Sequence, residues 1–181
     1  MKNEKCIICE TTNNIKLMNN NPICENCYND QLKLDKKFSS EKKNLHPECV
    51  EIIKDKLYLG NYDFAKKREN LLNLNITNVL VCGNELETPF EKEIKYMKIP
   101  LKDIIEDSIL PYINQCCDFI NDSKKILVHC NAGISRSPSI IIAYLIKEKK
   151  MKFEEAFNYV KKKRNIKPNE SFYKELMKIS Q

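Results

Sequence analysis

One stretch of this chain constrains the fold more than any other. The apolar run Ile126-Leu127-Val128 leads through His129-Cys130 into a short loop, and beyond Arg136-Ser137-Pro138 comes the almost wholly apolar segment Ile140–Ile146. A short continuous apolar run reads as a strand buried on both faces, which belongs in a sheet covered by helices. The following segment reads as a buried helix from Ser137 to about Lys149, with Ser137 as its cap and Pro138 at its first position. Asn78–Cys82 is a second buried strand of the same kind, and residues 95–99 form another that Pro100 ends. Ile52-Ile53 and Leu57–Leu59 predict short strands before Gly60. Asp63 is the expected cap of a helix carrying Phe64, Ala65, Leu71 and Leu72. Helices are predicted over 109–120, with Pro111 in the first turn, over the apolar spacing Phe153, Ala156, Phe157, Val160, and over Phe172, Leu176, Ile179. The alternation argues an α/β fold with a central, mostly parallel sheet flanked by helices.

The loop itself is a phosphate site in outline. Residues Asn131, Ala132, Gly133, Ile134 and Ser135 run from a strand end into a helix N-terminus, where successive N–H groups can turn toward an anion. Gly133 supplies a backbone conformation or close approach that a side chain would obstruct. Arg136 can clamp two phosphate oxygens bidentately, which lysine cannot do. In such surroundings a cysteine thiol is expected to ionise at neutral pH, which makes Cys130 the candidate nucleophile. Ser137 lies close enough in sequence to stabilise the sulfur as a leaving group. The competing reading is a buried structural cysteine in an ordinary strand-to-helix turn.

The first part of the chain has a different character. Cys6-x-x-Cys9 and Cys24-x-x-Cys27 are two knuckles fourteen residues apart, close to structural zinc spacing. Between them Ile15–Met18 and Asn19–Pro22 suggest a hairpin, and a helix could begin after Cys24. Metal would supply most of the folding energy of so short a segment. Residues 1–33 are therefore expected to form a small zinc-binding module, with a polar, lysine-rich linker over 34–48 and a catalytic domain over 49–181. Unrelated or redox cysteines are the alternative.

The 181 residues carry a net charge of +6, which suits acidic partners such as phosphoproteins. No basic stretch with interleaved aromatics points to nucleic acid, and no apolar run approaches the ~20 residues of a membrane span. The opening Met1-Lys2-Asn3 shows neither a signal segment nor a myristoylation glycine, so a cytoplasmic or nuclear address is expected.

At His129-Cys130-Asn131-Ala132-Gly133-Ile134-Ser135-Arg136-Ser137 the sequence resembles the dual-specificity protein phosphatases, whose signature is His-Cys-x-x-Gly-x-x-Arg-Ser/Thr. LYLGNYDFA (Leu57–Ala65), LNITNVLVC (Leu74–Cys82), IPLKD (Ile99–Asp103) and NIKPNESF (Asn165–Phe172) extend the likeness over residues 51–181. The resemblance implies hydrolysis of phosphotyrosine and phosphoserine or phosphothreonine through a phosphocysteine, with no catalytic cofactor. It places the general acid at Asp103; Asp107 and Glu106 are the local rivals. It gives His129 a supporting role in orienting the loop. Arg164 matches a position that holds a second phosphate in some relatives, or is one more charge on the Lys161–Lys163 face. Cys82 corresponds to a resolving cysteine in some relatives, or fills a small buried space.

Other functions stay in view. Asn131-Ala132-Gly133 also resembles the loop of laforin-type glucan phosphatases, and phosphoinositides or RNA ends are further non-protein substrates. A phosphate-binding adaptor whose zinc module recruits a protein partner is a reading of another class. The intact set Cys130, Arg136, Ser137 and Asp103 argues against it.

Overall fold

The computed structural model describes residues 15–18, 21–24 and 47–180. The chain divides into two units, residues 1–46 and 47–181. In the first, β1 (Ile15–Met18) pairs antiparallel with β2 (Asn21–Cys24), Ile15 opposite Cys24, which is the expected hairpin. Cys6, Cys9, Cys27, the helix expected after Cys24 and most of the 34–48 linker lie outside the described residues. Of Cys24 only the backbone lies within them.

The second unit carries a five-stranded sheet ordered β3-β4-β7-β5-β6, built from β3 (Cys49–Ile53), β4 (Leu57–Gly60), β5 (Asn78–Cys82), β6 (Lys95–Ile99) and β7 (Ile126–His129). The pairings β4–β7, β7–β5 and β5–β6 are parallel, and the edge pairing β3–β4 is antiparallel. The sheet is thus mixed and mostly parallel. Its central strands β4, β5 and β7 are buried along their whole length, as their continuous apolar runs require.

One face is covered by α3 (Ile113–Asp122), α4 (Arg136–Lys149), α5 (Phe153–Lys163) and α6 (Glu170–Ile179), which enclose the larger core. The short helices α1 (Tyr62–Ala65) and α2 (Arg68–Asn73) accompany a smaller core that includes Leu71, Val79, Val81 and Leu127. Helix α4 is buried through Ile146, which explains its lack of a polar face.

Three local expectations need correction. Asn61, not Asp63, caps α1, its side chain accepting from Phe64 N at 2.9 Å, while Asp63 pairs with Lys66 one turn on. The helix expected to run on through Leu72 breaks at Lys66-Lys67 into two. Ser137 is not the cap of α4: Ser135 holds that position without a side-chain cap bond, and Pro138 falls at the third helical residue. The Ser137 hydroxyl has another partner, described below. The helix after Ile109 opens as a 3₁₀ turn, Leu110–Tyr112, in which Pro111 needs no N–H donor.

Candidate active site

The C-terminal ends of the four strands that make the parallel pairings deliver the site, the crevice where open α/β sheets carry their ligands. The end of β7 gives Cys130, the end of β5 gives Gly83 and Glu85, the end of β6 gives Leu101 and Asp103, and the end of β4 gives Gly60. A cleft of about 540 Å³ opens there. Its lining includes Cys130, Asn131, Ala132, Ile134, Ser135 and Arg136 on one side and Asp103, Lys167 and Asn169 on the other.

The loop after β7 is held from outside itself. Asn131 O accepts from Tyr62 N at 2.9 Å and Ile134 O accepts from Lys167 N at 2.8 Å. At the turn between them Gly133 has φ of +68°, and a Cβ there would lie 2.5 Å from Gly60 O. Glycine is required for both reasons. Among the described residues the N–H groups of Asn131, Ala132, Ile134 and Ser135 donate to no protein acceptor, so they remain for an anion. Gly133 N instead donates to Cys130 Sγ at 3.3 Å, and the fully buried Ser137 hydroxyl donates to the same sulfur at 3.3 Å. Two donors thus converge on one sulfur.

Arg136 is 7% exposed. Its Nη1 donates to Glu85 Oε1 at 2.5 Å and to Leu101 O at 3.3 Å, and its Nε has no partner among the described residues. A Cβ on Gly83 would strike that same Nη1. Glu85 and Gly83 escaped the sequence reading. Their one signal was position: an acidic residue soon after a buried strand's C-terminal end, as Asp103 is.

His129 packs under the loop, stacked on Tyr62 at 6.2 Å between ring centroids, with Nδ1 3.4 Å from Cys130 O. Burial pushes its pKa down to about 4, more than the backbone contact can restore, so the ring is neutral at pH 7. A supporting role fits this placement.

Arg164 takes neither of its two expected places. It is only 3% exposed, so it is no part of the solvated lysine face. Nor does it line the cleft. Its Nε donates to Gly133 O at 2.8 Å and its Nη2 to Ala132 O at 2.9 Å, while Nη1 donates to Pro47 O. The guanidinium braces the 130–136 loop from behind, since each of its nitrogens already meets a carbonyl.

Asp103 lines the cleft, and its rivals do not. Asp107 turns inward on its own loop, with Oδ2 accepting from Lys102 N at 2.6 Å and Oδ1 from Ser108 N at 2.9 Å. Glu106 is exposed and absent from the lining. Cys82 lies one position beyond the Val81–His129 register pair, beside Cys130 in the same core. Burial raises its thiol pKa well above the ordinary range, with the neighbouring Cys116 and Cys130 adding to the effect.

The site is a strand-loop-helix with a cysteine at its head and an arginine at its foot. The sequence profile described as "Dual specificity phosphatase, catalytic domain" matches residues 57–181. The chain is 40% identical over 136 residues to a probable rhodanese domain-containing dual specificity protein phosphatase of Dictyostelium discoideum, a match covering 72% of this chain and 29% of that one. It is 39% identical over 126 residues to human dual specificity protein phosphatase 5, covering 67% and 33%. The human tyrosine phosphatase-like serine/threonine/tyrosine-interacting protein superposes with a TM-score of 0.68 at 32% identity, covering 72% of this chain and 93% of that structure. The chain belongs to the dual specificity phosphatase family. It spans about a third of the length of the curated relatives it matches.

Proposed function

We propose that this protein hydrolyses phosphate monoesters on proteins, accepting phosphotyrosine as well as phosphoserine and phosphothreonine. The observation that carries this reading is the convergence of Gly133 N–H and the Ser137 hydroxyl on Cys130 Sγ, in a cleft that Arg136 and Asp103 also line.

The phosphate lies on the free N–H groups of the loop, with the Arg136 guanidinium on its oxygens. Cys130 Sγ attacks phosphorus as the P–O bond to the substrate breaks. Asp103 gives its proton to the departing oxygen, a contribution of about 10²–10⁴-fold. The resulting carboxylate then takes a proton from water as that water attacks phosphorus. The P–S bond breaks, phosphate leaves, and Ser137 stabilises the returning thiolate. The named cleft lining contains no aromatic side chain, so nothing there selects a phenyl ring over an alkyl chain.

Cys130→Ser should end turnover of both aryl and alkyl phosphates while phosphopeptide binding persists. Full activity in that variant would remove the mechanism. Phosphopeptides should also turn over faster than phosphoinositide or phosphoglucan offered at equal concentration.

The zinc module is a second part of the proposal. Cys6, Cys9, Cys24 and Cys27 would hold one structural ion, a reading supported by their paired spacing and by the β1–β2 hairpin that ends on Cys24. A protein partner is the use this reading gives the module. Elemental analysis of purified protein should give about one zinc per chain, and a Cys6→Ser, Cys9→Ser variant should lose it.

A further inference from the structure

The Asn169 side chain works at both ends. Its Oδ1 accepts from Phe172 N at 3.0 Å, capping α6. That bond settles the orientation of the amide, because only the oxygen can accept. Its Nδ2 then donates to Asp103 Oδ1 at 3.1 Å and to Ile104 O at 3.3 Å. The residue's own N–H donates to Ser135 Oγ at 3.1 Å, and that hydroxyl donates to the same Asp103 Oδ1 at 2.6 Å. The bonds close a ring through Asn169, Ser135 and Asp103.

We propose that Asn169 is a positioning residue for proton transfer by Asp103, an inference that rests on Asp103 being the general acid. A carboxylic acid delivers its proton from one oxygen. Both donors in the ring require Oδ1 to act as an acceptor, which leaves Oδ2 to carry the proton. Among the described residues Oδ2 has no hydrogen-bond partner. Capping alone does not call for asparagine. Serine or aspartate would cap as well, but neither can also present an N–H₂ group. Asparagine here joins the helix start to the acid and fixes the carboxylate before substrate arrives.

The test compares wild type, Asn169→Ser, Asn169→Asp, Asp103→Asn and the double variant Asp103→Asn/Asn169→Ser. Each is assayed for kcat/KM on a phosphoserine peptide and on p-nitrophenyl phosphate, alongside thermal unfolding. The alkyl leaving group needs the proton far more than the activated aryl one. Both Asn169 variants keep a cap, so Tm should stay within a few degrees. The alkyl-to-aryl ratio should fall about tenfold in both, since misplacing a reacting group by ~1 Å costs up to 10²-fold. The double variant should be no slower than Asp103→Asn, because Asn169 acts through Asp103. An unchanged ratio in Asn169→Ser, beside a lowered one in Asp103→Asn, reduces Asn169 to a helix cap and overturns the proposal. A fall confined to Asn169→Asp assigns the effect to added charge and overturns it too. If Asp103→Asn itself leaves the ratio unchanged, the acid assignment has failed and the positioning role fails with it.

Discussion

Cys130 and Asp103 line one cleft, yet the chain secures them by different means. Cys130, the proposed nucleophile, sits in a loop whose carbonyls are tied to Tyr62 N, Lys167 N and the Arg164 guanidinium, and whose turn admits only glycine. His129, Ser135, Arg136, Ser137 and Arg164 around it are buried. Asp103, the proposed acid, sits on a more exposed loop, fastened by side chains from α6 and its cap. Asn169 holds Asp103, Ser171 Oγ donates to Asp107 O at 2.9 Å, and Glu175 accepts from Ser108 Oγ and Ile109 N at 2.6 and 2.9 Å. Backbone-fixed geometry tolerates no change of shape. Side-chain fastening can be loosened one bond at a time.

That contrast sets the order of expected effects. Arg136→Lys should cost about 10²–10³-fold in kcat, comparable to losing a transition-state donor, because an ammonium cannot replace the fork. Steady-state kinetics on an aryl phosphate measure it, and a loss below fivefold would mean that the guanidinium does not clamp the phosphate. Gly133→Ala should follow at about 10²-fold, through a loop displaced by the clash with Gly60 O and the strained φ. A nearly normal rate in that variant would show the nucleophile side to be more pliable than described.

The neutral His129 offers a third way to sharpen the contrast. Its pKa lies near 4 in the folded state against about 6.5 unfolded, so the unfolded chain binds the extra proton between those values. Stability from this group is fully present above about pH 6.5 and falls as the pH drops toward 4, by on the order of 3 kcal/mol. Urea unfolding at successive pH values should show the loss, and a His129→Gln variant should show less of it. The smallest effect is expected at Cys82. Its buried, protonated thiol is a poor resolving nucleophile, so Cys82→Ser should recover from mild peroxide as fully as wild type. A Cys82–Cys130 disulfide peptide in mass spectra would reverse that expectation.

The same division explains what could be read in advance. The nucleophile loop is contiguous from His129 to Ser137, and its strand, glycine, arginine and helix follow one another in the order chemistry needs. Asp103 needed the family likeness, because Asp107 looks identical to it in sequence and differs only in bonding its own loop. Glu85 and the amide end of Asn169 were hidden for a plainer reason. Each acts on a residue about 50 or more positions away, and nothing in local composition marks a partner at that distance. Arg164 carried a true signal with the wrong address: an arginine aimed at the phosphate loop, but at its carbonyls. Ser137 looked like a cap because serine beside proline usually is one. The sulfur claimed its hydroxyl instead.

The attachment of the Asp103 loop to α6 also has a consequence in time. A ribosome releases this chain in sequence order, at roughly 5–20 residues per second. Cys130, Arg136 and the strands that frame them emerge before Asn169, Ser171 and Glu175. Arg164 and Lys167, which tie the carbonyls of the Cys130 loop, emerge almost together with Asn169, so the loop and the Asp103 side of the cleft gain their fastenings within one short stretch of synthesis. Until residues 164–175 have left the ribosome, neither Cys130 nor Asp103 has the contacts that hold it in place.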